Sequence, residues 1–264
     1  MTDHHTAKEA FGRLAGIMDE LRAKCPWDQK QTIESLRHLT IEETYELADA
    51  ILENDMDGIR KELGDILLHI VFYAKIASET NKFTLTDVID GICDKLVYRH
   101  PHVFGDVSVN NADDVKTNWE SLKIKEGNKS ILAGVPASLP ALVKAHRVQD
   151  KVRAVGFDWN IREQVWDKIE EELNELKVEI DKMDAKKMED EFGDVLFSMV
   201  NAARLYGIDP EAALERTNKK FINRFNYLEQ QTIKAGQPLT SMTLDEMNVI
   251  WDQAKKVTGT ETIR

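Results

Sequence analysis

One short acidic pattern occurs twice in this 264-residue chain, with the same internal spacing each time. In each half, Glu-x-x-Glu is followed by Glu-x-x-Asp, and every member of the second copy lies 129 residues after its counterpart. The copies are Glu43, Glu46, Glu62 and Asp65, then Glu172, Glu175, Glu191 and Asp194. Residues i and i+3 share one face of a helix, so two antiparallel helices would bring four carboxylates together. The pattern therefore predicts an internal duplication built on a helical hairpin.

Four converging carboxylates repel one another, so such a cluster is stable only if a cation binds in it. Hard oxygen ligands favour Mg²⁺, with Mn²⁺ as the alternative. A lone Glu-x-x-Glu pair is most often part of a solvated helix face, but this quartet is repeated. In addition, Asp65 and Asp194 lie in apolar runs, where we expect a carboxylate to be partly buried and to need a partner. The quartets therefore predict a metal-dependent enzyme.

The composition favours long helices joined by few turns, because the chain has only 13 Gly and 6 Pro. No segment has the alternating pattern of a β-strand. We predict an all-α fold of two tandem helical-bundle domains related by internal duplication. The predicted boundaries are 1–126 for the first domain, 127–140 for a linker with two glycines and two prolines, and 141–264 for the second domain.

Periodicity and capping residues predict where the helices begin and end. Thr40, three residues before Glu43, is the predicted N-cap of the first acidic helix, which should end near residue 52. The returning helix is predicted at 59–78. The second hairpin is predicted at 161–180 and 188–206. Asp209-Pro210 should begin a helix that reaches residue 235, and Thr243 should cap the last helix with Glu246.

The charge balance excludes some partners. The 47 acidic and 35 basic residues give a net charge of −12, which argues against a nucleic acid polymer as partner. A small anion held through a metal is still compatible. The two cysteines form no paired motif, and charged residues interrupt the most apolar run, 63–77. We therefore expect a cytoplasmic protein that does not bind a membrane.

A basic pair and a tryptophan recur in both halves. Lys220 and Arg224 are spaced i,i+4, as are Lys95 and Arg99 in the first half. Like charges at that spacing are mildly destabilising, which favours a bound anion between them, although such pairs are common on surfaces. Trp251 could pack in a core or contact a base. Since phosphate-loop, dinucleotide-binding and HExxH motifs are absent, metal-bound carboxylates are the predicted chemistry.

Longer motifs carry a resemblance over nearly the whole chain. They are CPWDQKQT from Cys25, EETYEL from Glu42, ELGDIL from Glu62, RHPHVFGD from Arg99, VPASLPAL from Val135, GFDW from Gly156 and EFGDVLF from Glu191. With these motifs the chain resembles the MazG family of the all-α NTP pyrophosphatase superfamily. The resemblance implies Mg²⁺-dependent hydrolysis of nucleoside triphosphates, ATP among them, to a monophosphate and pyrophosphate. It also implies a homodimer of helical bundles, and neither half departs from the family's metal pattern.

The same resemblance implies roles for residues of the second half. Glu172, Glu175, Glu191 and Asp194 would hold Mg²⁺ against the triphosphate. Glu171 or one of the ligands, Glu172 first, would act as general base. The substrate contacts implied are Lys168, Glu171, Glu172, Glu191, Lys220 and Arg224 at the phosphates and Trp251 at the base.

The two halves are not equivalent. Leu39 stands where the second half has Lys168, and Phe72 stands where it has Asn201. We therefore expect the second half to be the main catalytic site, with the first half weaker, regulatory or structural. Two rival interpretations are a non-catalytic helical module that scaffolds or binds nucleotides, and a di-iron carboxylate bundle. The second rival requires Glu-x-x-His on two helices, which neither half has.

Overall fold

The computed structural model describes residues 4–109, 111, 114–115, 118–119, 122, 130–159 and 161–258. All regular structure in these ranges is helical, and none of it is β-strand. The chain divides into two units, residues 1–119 and 120–264, which confirms the all-α fold with two tandem helical domains. Of the predicted linker 127–140, residues 127–129 lie outside the described ranges, and 130–140 form turns and bends. No helix in the described ranges is both long and apolar enough to cross a bilayer.

The first unit is built on an antiparallel helix pair, Ile33–Glu53 and Met56–Glu79, and the helix His4–Lys24 packs against the second of these. Its helices are α1 (His4–Lys24), α2 (Ile33–Glu53), α3 (Met56–Glu79), α4 (Leu85–Arg99) and α5 (Pro101–Phe104). A short 3₁₀ turn, Asp28–Lys30, joins α1 to α2. The core forms where Met18, Leu36, Val71 and Phe72 meet.

The second unit repeats this plan with a hairpin of the helices Gln164–Lys182 and Ala185–Leu205, and the helix Ala141–Arg153 packs against the second of these. Its helices are α6 (Ala141–Arg153), α7 (Gln164–Lys182), α8 (Ala185–Leu205), α9 (Pro210–Ala235) and α10 (Leu244–Thr258). Val165, Ile169 and Ala202 form the core between α7 and α8, with Leu205 packed on it. Sequence reasoning did not predict α6.

The predicted start of α2 at Thr40 is wrong. Thr32 is the N-cap, since its hydroxyl accepts from the Ser35 N–H at 3.1 Å while the Ser35 hydroxyl accepts from the Thr32 N–H at 2.9 Å. Thr40 lies inside α2, where its hydroxyl is 2.7 Å from the Tyr73 hydroxyl on α3. Thr40 has the spacing of a capping box with Glu43 but joins the two helices instead. The predicted caps at Asp209 and Thr243 are confirmed.

Both acidic hairpins use the same turn. Each begins with a left-handed residue, Asn54 (φ 56°) or Met183 (φ 59°). An aspartate N-cap, Asp55 or Asp184, then starts the returning helix. The 129-residue offset therefore extends through the turn, and it fixes where the second helix of each pair begins.

Met183→Asn should stabilise the second unit. A side chain with φ near +59° is strained, and asparagine tolerates this conformation better than methionine. We expect the free energy of unfolding to rise by about 0.5–1 kcal/mol. Urea denaturation would measure it, and Asn54→Met in the matching turn should have the opposite sign. A loss of stability in Met183→Asn would contradict the strain argument.

Candidate metal centre and active site

A buried stripe on α7 explains why acidic side chains lie inside the second unit. Val165, Ile169, Glu172, Leu176 and Glu179 recur at alternating spacings of four and three and are all buried. This is the spacing of a helix face packed against a partner, here α8. Glu172 is 6% exposed. A carboxylate in such a position is costly unless a cation or hydrogen-bond donors offset its burial.

Three of the four predicted ligands lie together. One carboxylate oxygen from each of Glu172, Glu175 and Glu191 falls within 4.8 Å of the other two. Burial raises the pKa of Glu191 above its usual value, and the neighbouring carboxylates, Glu175 first and then Asp194 and Glu172, raise it further. The Oε2 of Glu191 is buried with no hydrogen-bond partner among the described residues. A cluster of oxygens with an unpartnered buried member fits a divalent cation.

Asp194 is more exposed than predicted, although Asp65 in the first unit is half-buried as expected. Adjacent residues on a helix point in other directions, so the apolar neighbours of Asp194 in sequence do not cover it. Asp194 nevertheless lines the same cavity as Glu172. Asp194, the fourth predicted ligand, therefore belongs to the site but is exposed to solvent.

Lys168 introduces a positive charge at the edge of the carboxylates. Its Nζ lies 2.8 Å from Glu171 Oε1 and 2.7 Å from Glu172 Oε1. The hydrogen bonds to Glu171 and then Glu172 raise the pKa of Lys168, so this side chain is charged at neutral pH. It is well placed to meet a polyanion that approaches the cluster.

A cavity of about 560 Å³ opens beside these groups. Lys168 and Glu172 reach it from α7 and Asp194 from α8, while Phe157 and Trp159 contribute from the loop after α6. Phe157 is 79% exposed, so the loop presents an uncovered aromatic surface next to the acidic groups. This combination suits a ligand with a charged end and a planar apolar end.

A buried ion pair holds the aromatic loop in place. Arg204 Nη1 donates to Asp158 Oδ2 at 3.0 Å, and Arg204 Nη2 donates to Asn201 Oδ1 at 2.8 Å. The Arg204 side chain is 5% exposed and that of Asp158 is 17% exposed. The pair therefore connects the Phe157–Trp159 loop to α8. Sequence reasoning did not identify Arg204. The sequence signal for this ion pair was Asp158, which lies within the GFDW motif.

Comparison with known proteins places these features in a family. A family model described as the MazG nucleotide pyrophosphohydrolase domain matches residues 31–104 and 162–228, one segment in each unit. The chain belongs to the MazG family. Each matched segment contains one complete acidic quartet.

Two relatives that match over almost their whole length have names that agree with this assignment. The chain is 42% identical to a protein of Escherichia coli K12 named nucleoside triphosphate pyrophosphohydrolase, over 92% of this chain and 96% of that protein. It is 43% identical to nucleoside triphosphate pyrophosphohydrolase/pyrophosphatase MazG of Thermotoga maritima, over 93% and 95%. It is also 45% identical to the uncharacterized protein YabN of Bacillus subtilis, over 93% of this chain but 52% of that protein.

The other predicted substrate contacts of this MazG-family chain are Lys220, Arg224 and Trp251. They lie on α9 and α10, and none of the three lines the cavity. The Trp251 ring packs 5.1 Å from the Phe221 ring, and Lys220 is exposed. Arg224 is half-buried, and its Nε has no partner among the described residues. Roles for these three residues in substrate binding stay predictions.

The first MazG segment has the acids but different surroundings. Oxygens of Glu43, Glu46 and Glu62 also lie within 4.8 Å of one another, and Glu62 is 6% exposed. Leu39 and Phe72, however, belong to the hydrophobic core of this unit, and Phe72 is 2% exposed. Core side chains thus occupy the positions where the second unit has Lys168 and Asn201.

Proposed function

We propose that this chain hydrolyses nucleoside triphosphates to a nucleoside monophosphate and pyrophosphate by cleaving the α–β phosphate bond. The observation that carries the proposal is the carboxylate cluster of the second unit, with Lys168 at its edge and a cavity beside it. The names of the E. coli and T. maritima relatives support it.

We assign the following roles. Glu172, Glu175, Glu191 and Asp194 would hold Mg²⁺, with Mn²⁺ as the alternative. A bound ion would supply charge neutralisation and orientation at the phosphates. Lys168 would shift from its carboxylate partners toward a phosphate oxygen. Glu171, whose side chain is 56% exposed, or Glu172 would take the proton of the attacking water.

The nucleoside would bind in the part of the cavity that lies away from the carboxylates. A volume of about 560 Å³ is in the range of small-molecule sites, roughly 300–1,000 Å³. The aromatic side chains of Phe157 and Trp159 give it a wall suited to a planar base. The phosphates would then lie toward Lys168 and the carboxylates.

Product analysis tests the proposal. Purified protein, one nucleoside triphosphate and Mg²⁺ should yield monophosphate and pyrophosphate in equal amounts, and excess EDTA should stop the reaction. Release of orthophosphate and a diphosphate, or full activity in EDTA, would refute the proposal. Nucleotide binding with no turnover would favour the rival helical binding module.

We also propose that the chain is a homodimer. Phe192, Leu196 and Met199 recur at spacings of four and three on α8, and each is between 45% and 56% exposed. Such a stripe is typical of a helix face that packs against another helix. Light scattering after gel filtration should give twice the 30.2 kDa chain mass. A monomer at micromolar concentration would contradict the dimer.

Mg²⁺ should raise the melting temperature, because a ligand that binds the folded state stabilises it by mass action. Folding raises the pKa of Glu191 above its value in the unfolded chain. Without metal, the folded state therefore loses stability as the pH rises through this raised pKa. The ionised form that becomes populated there is the form that binds metal. The gain from Mg²⁺ should therefore be small at acidic pH and grow as the pH rises toward neutrality.

Differential scanning fluorimetry at several pH values would measure this gain. The double variant Glu172→Gln/Glu191→Gln is the control and should lose most of it. Melting curves of the wild-type protein that do not respond to millimolar Mg²⁺ would count against a metal site.

A further inference from the structure

A second cavity lies in the second unit, and arginine side chains line it. Its volume is about 520 Å³, within the range of small-molecule sites. The charged residues around it, which we call the arginine cavity, are Arg153, Asp158, Arg162, Glu163 and Arg204. Arg153 and Arg162 do not line the proposed substrate cavity, and Lys168 does not line the arginine cavity. The two cavities therefore present different charges to a ligand.

Two of the arginines are open to solvent. The Arg162 side chain is 59% exposed and that of Arg153 is 47% exposed. Among the described residues, the side-chain hydrogen bond of Arg162 runs from its Nε to Glu163 Oε1, at 2.9 Å. A guanidinium has N–H donors on its terminal nitrogens as well, and these can bind a ligand. The Arg162 guanidinium also lies 5.0 Å from the centroid of the Tyr206 ring, which holds it beside the cavity.

The third arginine balances a carboxylate of the cavity. Arg204 is buried and donates to Asp158, so this pair neutralises the Asp158 charge. Arg153 Nε is farther from the same carboxylate, at 3.7 Å. Arg153 and Arg162 then face the remaining carboxylate, Glu163, whose side chain is 60% exposed. The solvent-facing part of the arginine cavity thus has a positive surplus in a chain whose net charge is −12.

The first unit lacks this pair of arginines. At the positions 129 residues earlier it has Lys24 and Ile33. Lys24 Nζ lies 2.9 Å from Glu20 Oε2 on the same helix, and Ile33 begins α2. The first unit forms the same helical hairpin with these residues, so the hairpin does not require the arginines. Their presence in the second unit therefore favours a role in binding a ligand.

We propose that the arginine cavity binds a small phosphate-containing anion. The planar fork of a guanidinium donates parallel N–H bonds to phosphate oxygens, and charge-assisted bonds of this kind are strong. Arg153 and Arg162 are the donors, and a cavity of this volume has room for a diphosphate or a phosphate ester. Asp158, Trp159 and Arg204 also line the substrate cavity, so the anion binds next to the nucleotide but at a separate site.

Isothermal titration calorimetry with inorganic pyrophosphate tests the proposal. The protein is first freed of metal on a chelating resin, because a carboxylate cluster without metal repels anions. Wild-type protein should bind pyrophosphate saturably at millimolar concentration or below, and Arg162→Gln should weaken binding by about 10-fold or more. Arg147→Gln is the matched control and should bind as the wild type does, since Arg147 is 40% exposed, pairs with Asp150 and lines neither cavity.

Two results would overturn the proposal directly. They are the absence of saturable binding by the wild-type protein and an unchanged affinity in Arg162→Gln, once circular dichroism has shown that the variant is folded. Arg153→Gln is a second variant and should also weaken binding. Ribose 5-phosphate, titrated in parallel, distinguishes a phosphate ester from a free diphosphate as the natural ligand, and Arg162→Gln should weaken the binding of either.

A hydrolysis assay separates this site from the substrate cavity. Arg162 lies outside the substrate cavity, so Arg162→Gln should leave nucleoside triphosphate hydrolysis in Mg²⁺ unchanged. Equal losses of hydrolysis and of pyrophosphate binding would place the anion in the substrate cavity and overturn a separate site. The calorimetric result requires no turnover, so it decides the anion site even if the proposed hydrolysis fails.

Discussion

Glu172→Ala should reduce nucleoside triphosphate hydrolysis to background, whereas Glu43→Ala should leave most of it intact. Glu172 is buried, contributes an oxygen to the carboxylate cluster and binds Lys168 at 2.7 Å. Its loss would remove a proposed metal ligand and one of the two carboxylates that hold Lys168. Glu43 has the same place in the first unit, but Leu39 and Phe72 fill the surrounding space with core side chains. That unit offers fewer polar groups to a triphosphate.

The two variants would be assayed with one nucleotide at saturating Mg²⁺, after circular dichroism has shown that each is folded. Glu172→Gln, which keeps the size of the side chain but removes its charge, is a second variant and should be similarly inactive. If Glu43→Ala is as inactive as Glu172→Ala, both units are required and the assignment of catalysis to the second unit is wrong.

Arg204→Ala should destabilise the second unit by about 3 kcal/mol, because it leaves the partly buried Asp158 carboxylate without its main partner. Arg153 Nε, 3.7 Å from Asp158, offsets only part of the loss. Lys75→Ala is the matched control, since Lys75 lies 129 residues before Arg204 and also forms an ion pair, with Asp19. Asp19 is 64% exposed in that pair, so the control should cost about 1 kcal/mol or less.

Urea denaturation would measure both changes. Arg204→Ala should also raise KM, because the Asp158–Arg204 pair fixes the loop that carries Phe157 and Trp159 beside the cavity. If Arg204→Ala lowers the free energy of unfolding by no more than Lys75→Ala does, burial does not make the stability of the unit depend more strongly on the Asp158–Arg204 pair.

Much of the fold followed from local patterns. The repeated acidic pairs predicted two helical hairpins, and both are present as α2–α3 and α7–α8. The Asp209 and Thr243 caps were correct because a cap depends on residues within one turn of each other. The difference between the units was also visible in sequence, because Leu39 and Phe72 replace polar residues. The structure adds that both side chains belong to the core.

Other features depended on contacts between distant parts of the chain. The Asp158–Arg204 pair joins residues 46 apart, and the Gln149–Phe197 bond joins residues 48 apart. No spacing rule connects such residues. Helix α6 was missed because its sequence is rich in charged side chains. Tertiary contacts bury Gln149, which donates to the Phe197 carbonyl oxygen on α8, and Lys151, whose Nζ donates to the Ile131 carbonyl oxygen.

The sequence by itself determined the duplicated helical hairpins, the two acidic quartets and the inequality of the two units, since these follow from helical periodicity and from residue identity at matching positions. Only the tertiary structure decided which carboxylates are buried, that Thr40 joins two helices instead of capping one, and that the Gln149 amide on α6 binds the Phe197 carbonyl oxygen on α8. Periodicity assigns a residue to a face of its own helix. Burial and hydrogen bonding depend on which other helix covers that face, and this is settled only when the whole unit packs.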